Sequence, residues 1–543
     1  MSPTRSRRSG KDRKRAPREG ADTITGPGQS APVRKWFWMP LAFTALLVLV
    51  SFVDRVQEHS VLVWSFWGSA AALLAWQGWI FVRMKDVLDG QAFAVVLRPQ
   101  HYLQATLQIA VFVYWGWYWR PVYDYAWLLA AQFVFAYSFS ILLAWARHRP
   151  YILGFGPFPI VLSTNLFLWF RDDWFYLQFL MIAIGFLGKE FVRWNREGRR
   201  VHIFNPSAFS LGLFSVILIA MNASDLTWGL EIATTLTLAP RIYMFLFLIG
   251  LIAMYSFSIT LVAGSAAVVL FAWSWLYTTM IGVPFFVDSE IPTAVFLGLH
   301  LLVTDPSTSP RTPIGKTIFG ILYGVGVIVL FWGLEVIGVP TFYDKLLAVP
   351  LLNLSVQWID HLAHSIRSSS TWQRIKLDWT PATANLLHMS AWITFFALMS
   401  VTGRTDGRHT GDSVPFWQEA CEEGRRNACD RLTQLQYAYC ADNSGWACNE
   451  LGRHLQEGRI VDHDPALAMG YYARACELRF QPGCLNVLEP ERRVTARPRP
   501  IDFRVLLREG GASLADFSEQ ELYERACEHG WEFACEAMVS RSP

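Results

Sequence analysis

From Trp36 to Thr402 the sequence is a train of thirteen apolar runs, at 36–53, 61–83, 101–119, 126–146, 152–170, 174–191, 206–222, 241–258, 260–283, 291–304, 316–337, 345–361 and 386–402. Most approach the roughly 20 residues a helix needs to cross the hydrocarbon core of a bilayer. With 53% of residues hydrophobic and only 17% charged, a water-soluble fold is excluded. Trp and Tyr crowd the run ends, at Trp115, Trp117, Tyr118 and Trp119 and again at Trp273, Trp275 and Tyr277, as they do at membrane–water interfaces. The sequence predicts an all-α fold whose main part, 36–402, is a polytopic membrane bundle of about thirteen spans.

Lys and Arg collect in alternate loops: Arg83 and Lys85, Arg147 and Arg149, the stretch from Lys189 to Arg200, Arg311 and Lys316, then Arg367, Arg374 and Lys376. The intervening loops carry acids instead, Asp172, Asp173, Asp225, Asp288 and Glu290. The positive-inside rule puts the N-terminus and the basic loops in the cytoplasm. Thirteen spans then place everything after about residue 403 outside the inner (plasma) membrane of a bacterium. Residues 1–35 hold Arg5, Arg7, Arg8, Lys11, Arg13, Lys14, Arg15 and Arg18 among Gly, Ser and Pro, the composition of a disordered basic tail. It reads as a positive-inside anchor, and no nucleic-acid partner is expected. No small-x-small site closes the first apolar run, so no cleaved signal peptide is expected.

All eight cysteines lie beyond residue 420, as Cys421/Cys429, Cys440/Cys448, Cys476/Cys484 and Cys527/Cys535. Each pair is spaced i, i+8. Metal clusters use shorter gaps or include His. Paired cysteines in a small unit suggest disulfides, which need an oxidising compartment. The cysteines and the loop charges thus place this region outside the cytoplasm independently.

Around the pairs, small and apolar residues recur at three and four, the sign of amphipathic helix pairs. Ala447-Cys448-Asn449 leads through Leu451-Gly452, Glu457-Gly458 and Asp464 to Tyr471-Tyr472 and Ala475-Cys476, and Leu522 to Cys527 restates the second half. After a linker at 403–415, residues 416–540 resemble Sel-like repeats in their cysteine-rich secreted form. That resemblance implies an extracytoplasmic α-solenoid in which a disulfide ties one helix pair to the next. Such stacks bind protein partners. The pattern frays at 486–520, where Pro490, Pro498 and Pro500 interrupt it.

Within the membrane part, residues 299–320 read LHLLVTDPSTSPRTPIGKTIFG. Backbone that leaves helix form at membrane depth must be buried in protein or line a polar cavity. Asp305 at such a break is a site candidate. Asp-Pro with Ser and Thr is equally turn chemistry. A second motif, His202-Ile203-Phe204-Asn205-Pro206, opens a span; an Asn cap there leaves backbone N–H groups for an anion, or simply caps a helix. A third sets Asn353 seven residues before Asp360. In this order, over about 90–365, the three resemble the RnfD/NqrB family. Its members are membrane components of the Rnf electron-transport complex and of the sodium-pumping NADH:quinone reductase.

The resemblance implies a helical fold similar to urea transporters, built from inverted repeats. It also implies bound flavin and electrons passed across or along the membrane. In that family a Thr of a Ser-Gly-Ala-Thr motif takes a covalent flavin mononucleotide on the outer face. The matching loop, 222–240, reads Glu231-Ile232-Ala233-Thr234-Thr235. Only Ala-Thr remains, so Thr234 is the matching position and covalent attachment there lacks its glycine. This divergence fits a stand-alone branch similar to relatives from enediyne biosynthesis clusters. The implied cofactor is FMN or another flavin. The residues implied to bind it are His202, Phe204, Asn205, Pro206, Thr234, Thr304, Asp305, Thr308, Ser309, Asn353 and Asp360.

His361 and His364 share a helix face at metal-ligand spacing but lack further ligands in the sequence. His300 lies inside an apolar run, as a proton carrier or a backbone-bonded core residue. The expected function is a membrane electron-transport subunit with a redox partner protein docked on the repeats. The alternative is a transporter or channel for a small solute or ion on the same scaffold.

Overall fold

The computed structural model describes residues 31–32, 36–83, 92–368 except 197 and 288, 380–488 except 406–408 and 442, and residues 520, 538 and 539. The basic tail up to residue 30, Lys85, Asp288, Arg374, Lys376, and the final repeat with Cys527 and Cys535 lie outside the described residues.

Among the described residues, five helices are long and apolar enough to cross a membrane: Pro121–Ala146, Thr260–Ile281, Pro313–Val336, Thr341–Ser368 and Pro381–Val401. Trp38–Val50 and Pro206–Ala220 are apolar but shorter. The chain is therefore that of a mostly helical membrane protein. Two helices, α1 (Trp38–Val50) and α2 (Ser60–Arg83), come first.

Ten elements follow in two series of the same order, long, long, nine-residue, long, long. The first is α3 (Pro99–Tyr118), α4 (Ala126–Ala146), α5 (Pro157–Asn165), α6 (Tyr176–Phe191) and α7 (Pro206–Ala220). A short helix α8 (Gly229–Thr235) links it to the second. That comprises α9 (Ile242–Phe257), α10 (Thr260–Ile281), α11 (Thr293–Leu301), α12 (Pro313–Val336) and α13 (Asp344–Ser368). In each series the nine-residue helix packs on the first long one, α5 on α3 and α11 on α9. The series meet through α7 against α13 and α3 against α9. The chain after α11 meets the start of α7 at Asn205, whereas the chain after α5 meets Thr227 beyond its far end, so the two series run in opposite senses. α14 (Pro381–Val401) packs against α9 and α10.

The nine-residue helices correct the expectation of thirteen full spans. The runs 152–170 and 291–304 each yield a helix of 9 residues, about 14 Å long against the roughly 30 Å of a bilayer core. Local chemistry explains both. Helix α5 starts at Pro157, a residue suited to the first helical position. Helix α11 begins after Pro292 and ends at Leu301, and Pro306 keeps Asp305 out of helical backbone so that the helix does not resume there. All nine residues of α11 are buried, so these breaks sit inside protein. The division of 241–283 into two helices falls at Ser258, whose φ of 52° ends α9.

Helices α10 and α12 cross with their backbones close together. A Cβ on Gly320 would overlap Ser265 Oγ and the carbonyl oxygen of Val262. The carbonyl belongs to the backbone and cannot rotate away. Gly320→Ala is expected to destabilise the bundle by about 1–3 kcal/mol, read as a lowered unfolding midpoint in detergent.

The all-α reading missed two small sheets. One pairs β1 (Ala31–Pro32) antiparallel with β2 (Ala92–Val95), and β2 parallel with β3 (Tyr151–Leu153). The other is a hairpin of β4 (Arg193–Arg196) and β5 (Arg199–His202). Gly198, with φ of 78°, makes its turn.

Beyond the bundle come α15 (Val414–Glu422), α16 (Ala428–Ala441), α17 (Gly445–Glu457), α18 (Pro465–Glu477) and α19 (Gln481–Leu488). Each packs on the next. Trp417, Leu432, Leu435, Tyr439, Trp446 and Leu451 form a separate core that takes in Val283 from the bundle. Disulfides Cys421–Cys429 and Cys440–Cys448 each tie the end of one helix to the start of the next. Cys476, at the end of α18, is also disulfide-bonded; Cys484 lies on α19.

Candidate functional site

The three motifs, far apart in sequence, meet at one end of the bundle. The hairpin β4–β5 delivers the chain to Asn205, the N-cap of α7. The segment 302–310, between α11 and α12, lies against it, and α13 supplies Asn353 and Asp360.

Asn205 joins all three. Its backbone N–H donates to Asn353 Oδ1 at 3.0 Å, and its Nδ2 donates to the Leu302 carbonyl at 3.1 Å. Its Oδ1 accepts from the N–H groups of Ser207 and Ala208 at 3.1 and 3.3 Å. Of the two roles the sequence left open for this helix start, the bonds match the cap. The first free N–H groups are consumed by the cap's own side chain, and Pro206 has none to offer. Phe204 stacks on Phe209 at 5.0 Å between ring centroids. Asn353 Nδ2 reaches the Thr308 carbonyl at 3.4 Å.

The break itself is bonded internally. Thr304 Oγ1 donates to the His300 carbonyl at 2.7 Å, one turn back in α11. Asp305 Oδ1 accepts from Ser307 N–H and Oγ at 2.9 and 2.6 Å, and Ser309 Oγ donates to the Asp305 carbonyl at 2.7 Å. Asp-Pro-Ser thus forms the Asx turn that its residue types favour. Thr304, Thr308 and Ser309 are buried.

Arg196 and Asp360 form the ionic link of this lattice. Arg196 Nη2 donates to Asp360 Oδ2 at 2.5 Å and to the Ser309 carbonyl at 3.1 Å. Its side chain is only 6% exposed. Sequence reasoning did not single out Arg196, because nothing distinguishes it from the other basic residues between Lys189 and Arg200 until β4 is paired. His202 Nε2 lies 3.0 Å from Ser307 Oγ. Burial pushes the His202 imidazole below its ordinary value, and the Asp305 carboxylate partly pulls it back. Lys189 at the end of α6 and Arg193 contribute positive charge to the same spot. Glu190 beside them is claimed by Arg147, Arg149 and Arg193.

Thr234 is not part of this site. It lies on α8, beyond the far end of α7, a helix of 15 residues or about 22 Å. Its hydroxyl donates to the Leu230 carbonyl at 3.0 Å on an exposed helix face. Neighbouring Thr235 Oγ1 instead accepts from Trp115 Nε1 at 3.2 Å. His361 and His364 acquire no third metal ligand; among the described residues no group of three or more His, Cys, Asp or Glu could hold a metal ion. His300 is buried, with Nδ1 2.7 Å from the Phe296 carbonyl and Nε2 without a partner.

The break in the first series carries a polar cluster that sequence reasoning missed. At the last residue of α5, Asn165 Nδ2 donates to Gln132 Oε1 at 2.6 Å, and Gln178 Nε2 donates to Asn165 Oδ1 at 3.2 Å. All three side chains are fully buried. Glutamines in separate apolar runs give no sequence signal of meeting. Buried polar groups must pair, however, so each was a fair candidate. The neutral amides here and the Thr-Asp turn after α11 occupy corresponding places in the two series.

No family model, no curated protein and no solved structure matches this chain.

Proposed function

We propose that this protein is a membrane electron-transport subunit that holds a flavin noncovalently and passes electrons across or along the membrane. One observation carries the reading. The residues behind the resemblance, His202 to Pro206, Thr304 to Ser309 and Asn353 to Asp360, converge on a single lattice through bonds between residues 105 and 148 positions apart, with Asp360 joined to it through Arg196. Scattered look-alike motifs have no reason to be neighbours. In this reading the lattice is a fixed scaffold on the cytoplasmic face, where Lys189 and Arg193 add to the positive charge. The helices 414–488 stand at the opposite face, in the oxidising compartment that their disulfides suit, and offer their free surface to a redox partner protein.

A second reading, transport of a small solute or ion, is favoured by the two series of opposed sense. Half-helices that end inside a bundle, one per series, suit a substrate site at the midplane.

The absorbance spectrum of the detergent-purified protein separates the two. Bands near ~370 and ~450 nm that leave with the supernatant on acid precipitation are expected for noncovalent flavin. Colour in the pellet would mean covalent attachment and return the argument to Thr234. A colourless, folded preparation would overturn the flavin reading in favour of transport.

A further inference from the structure

A feature outside that site lies where the bundle meets the disulfide-bonded helices. A cavity of about 380 Å³ opens there between the ends of α10 and α12 and the turn joining α15 to α16. Its lining includes Trp273, Tyr277, Phe285 and Trp332, the buried Arg431 and the exposed Arg426. The volume lies in the range of small-molecule sites, about 300–1,000 Å³.

We infer that this cavity seats the phosphate headgroup of one anionic phospholipid, drawn from the leaflet beside the 414–488 helices. Three independent features define that ligand. The first is access. Val329 and Trp332 are 56% and 53% exposed and continue the apolar outer face of α12, so the cavity opens sideways towards acyl chains. A water-soluble ligand would not need an apolar doorway.

The second is the wall. Indole and phenol side chains at helix ends sit at the level of lipid headgroups, where one edge is apolar and the other polar. The third is charge. Two guanidiniums, of Arg426 and Arg431, line the cavity together with one carboxylate, Glu335. Arg431 Nη2 is bonded to Glu335 Oε1 at 2.5 Å. Arg426 is exposed, and no carboxylate among the described residues pairs with it. The lining therefore keeps an uncompensated cation at headgroup height, and a guanidinium binds phosphate oxygens through a planar fork of donors. The neighbouring Arg425 is already used, on Glu423 and the Gly282 carbonyl.

Occupancy would bridge α12 to α16, beside the Arg431–Glu335 link, and so hold the outer helices on the bundle. This inference requires only the membrane bundle and does not depend on the flavin reading.

The test is native mass spectrometry of the full chain in detergent. Phosphatidylglycerol, phosphatidylcholine of the same acyl chains, and free glycerol phosphate are added at equal concentration. One phosphatidylglycerol per chain should be retained, at least tenfold over phosphatidylcholine, and glycerol phosphate should not displace it. Arg426→Gln, at an exposed position that leaves folding intact, should abolish that preference. Trp332→Ala should lower retention of both lipids. Equal retention of the two lipids by the unaltered chain, undiminished preference in Arg426→Gln, or displacement by glycerol phosphate would overturn the inference.

Discussion

Replacing Arg196 by methionine will destabilise the folded protein by about 3–5 kcal/mol, the usual cost of stripping one partner from a buried ion pair. The Arg196 side chain is 6% exposed and that of Asp360 15%, so water cannot take over the lost role. Asp360 would lose this short ionic bond and keep the long 3.4 Å bond from Arg311 N–H. The Ser309 carbonyl would also lose its donor. The effect should spread beyond the pair, because the Arg196 side chain ties β4 to both the 302–310 segment and α13. Release of the hairpin would slacken the approach to Asn205 and its cap on α7. Removing both charges, as Arg196→Met with Asp360→Leu, should recover most of the loss, since an apolar pair leaves no uncompensated charge. Reversible unfolding of the single and double variants in detergent measures this. A double variant no more stable than Arg196→Met would show that the hydrogen bond to Ser309, and not the ion pair, holds the site.

Much of the architecture was legible because membrane burial writes long, unambiguous runs. Each of the thirteen runs contains a helix, and the break at Thr304-Asp305-Pro306 stands where proline and a carboxylate made helix impossible. The two nine-residue helices were not legible as such. Hydropathy reports that a segment is buried, and it does not tell a spanning helix from half a helix followed by extended chain sealed in protein. Leu166 to Phe170 are fully apolar in sequence yet run outside helix for this reason. The hairpin at 193–202 was hidden by its charge: strands are sought by apolar alternation, and this one is rich in arginine. At the candidate site, the polar residues singled out in the sequence, Thr234 apart, do come together, but the sequence left their side-chain roles open. Asn205 and Asp305 were equally good as ligand donors or as caps of their own turns. The bond lengths assign their Oδ1 atoms to the caps. Short polar side chains beside a free backbone N–H satisfy it first.

Acid will loosen the helices beyond the bundle through His454. This residue is buried on α17, and burial, reinforced by the adjacent Arg453, pushes its imidazole down to about 4 from 6.5. Glu457 opposes the shift and Arg459 adds to it. In the unfolded chain the imidazole takes its proton as pH falls through about 6.5. In the folded chain it stays neutral until about 4. Between these values the unfolded state binds more protons, so stability rises with pH; it is fully present above 6.5 and is lost as pH falls towards 4. A shift of this size is on the order of 3 kcal/mol. Glu450, on the same helix, acts in the other direction: burial raises its carboxyl, so the folded state takes up a proton first and is favoured as pH drops. The two partly cancel in the unaltered protein, and only a difference experiment separates them. Hydrogen exchange of the 445–477 amides, corrected for intrinsic rates, should show protection falling from about pH 7 to about pH 4.5 more steeply in the unaltered chain than in His454→Gln. The amide fits the same space and carries no proton to gain. Parallel slopes in the two chains would remove His454 as the cause. A steeper slope on replacing Glu450 by Gln, together with a shallower one for His454→Gln, would establish that this pair sets the acid tolerance of the outer helices.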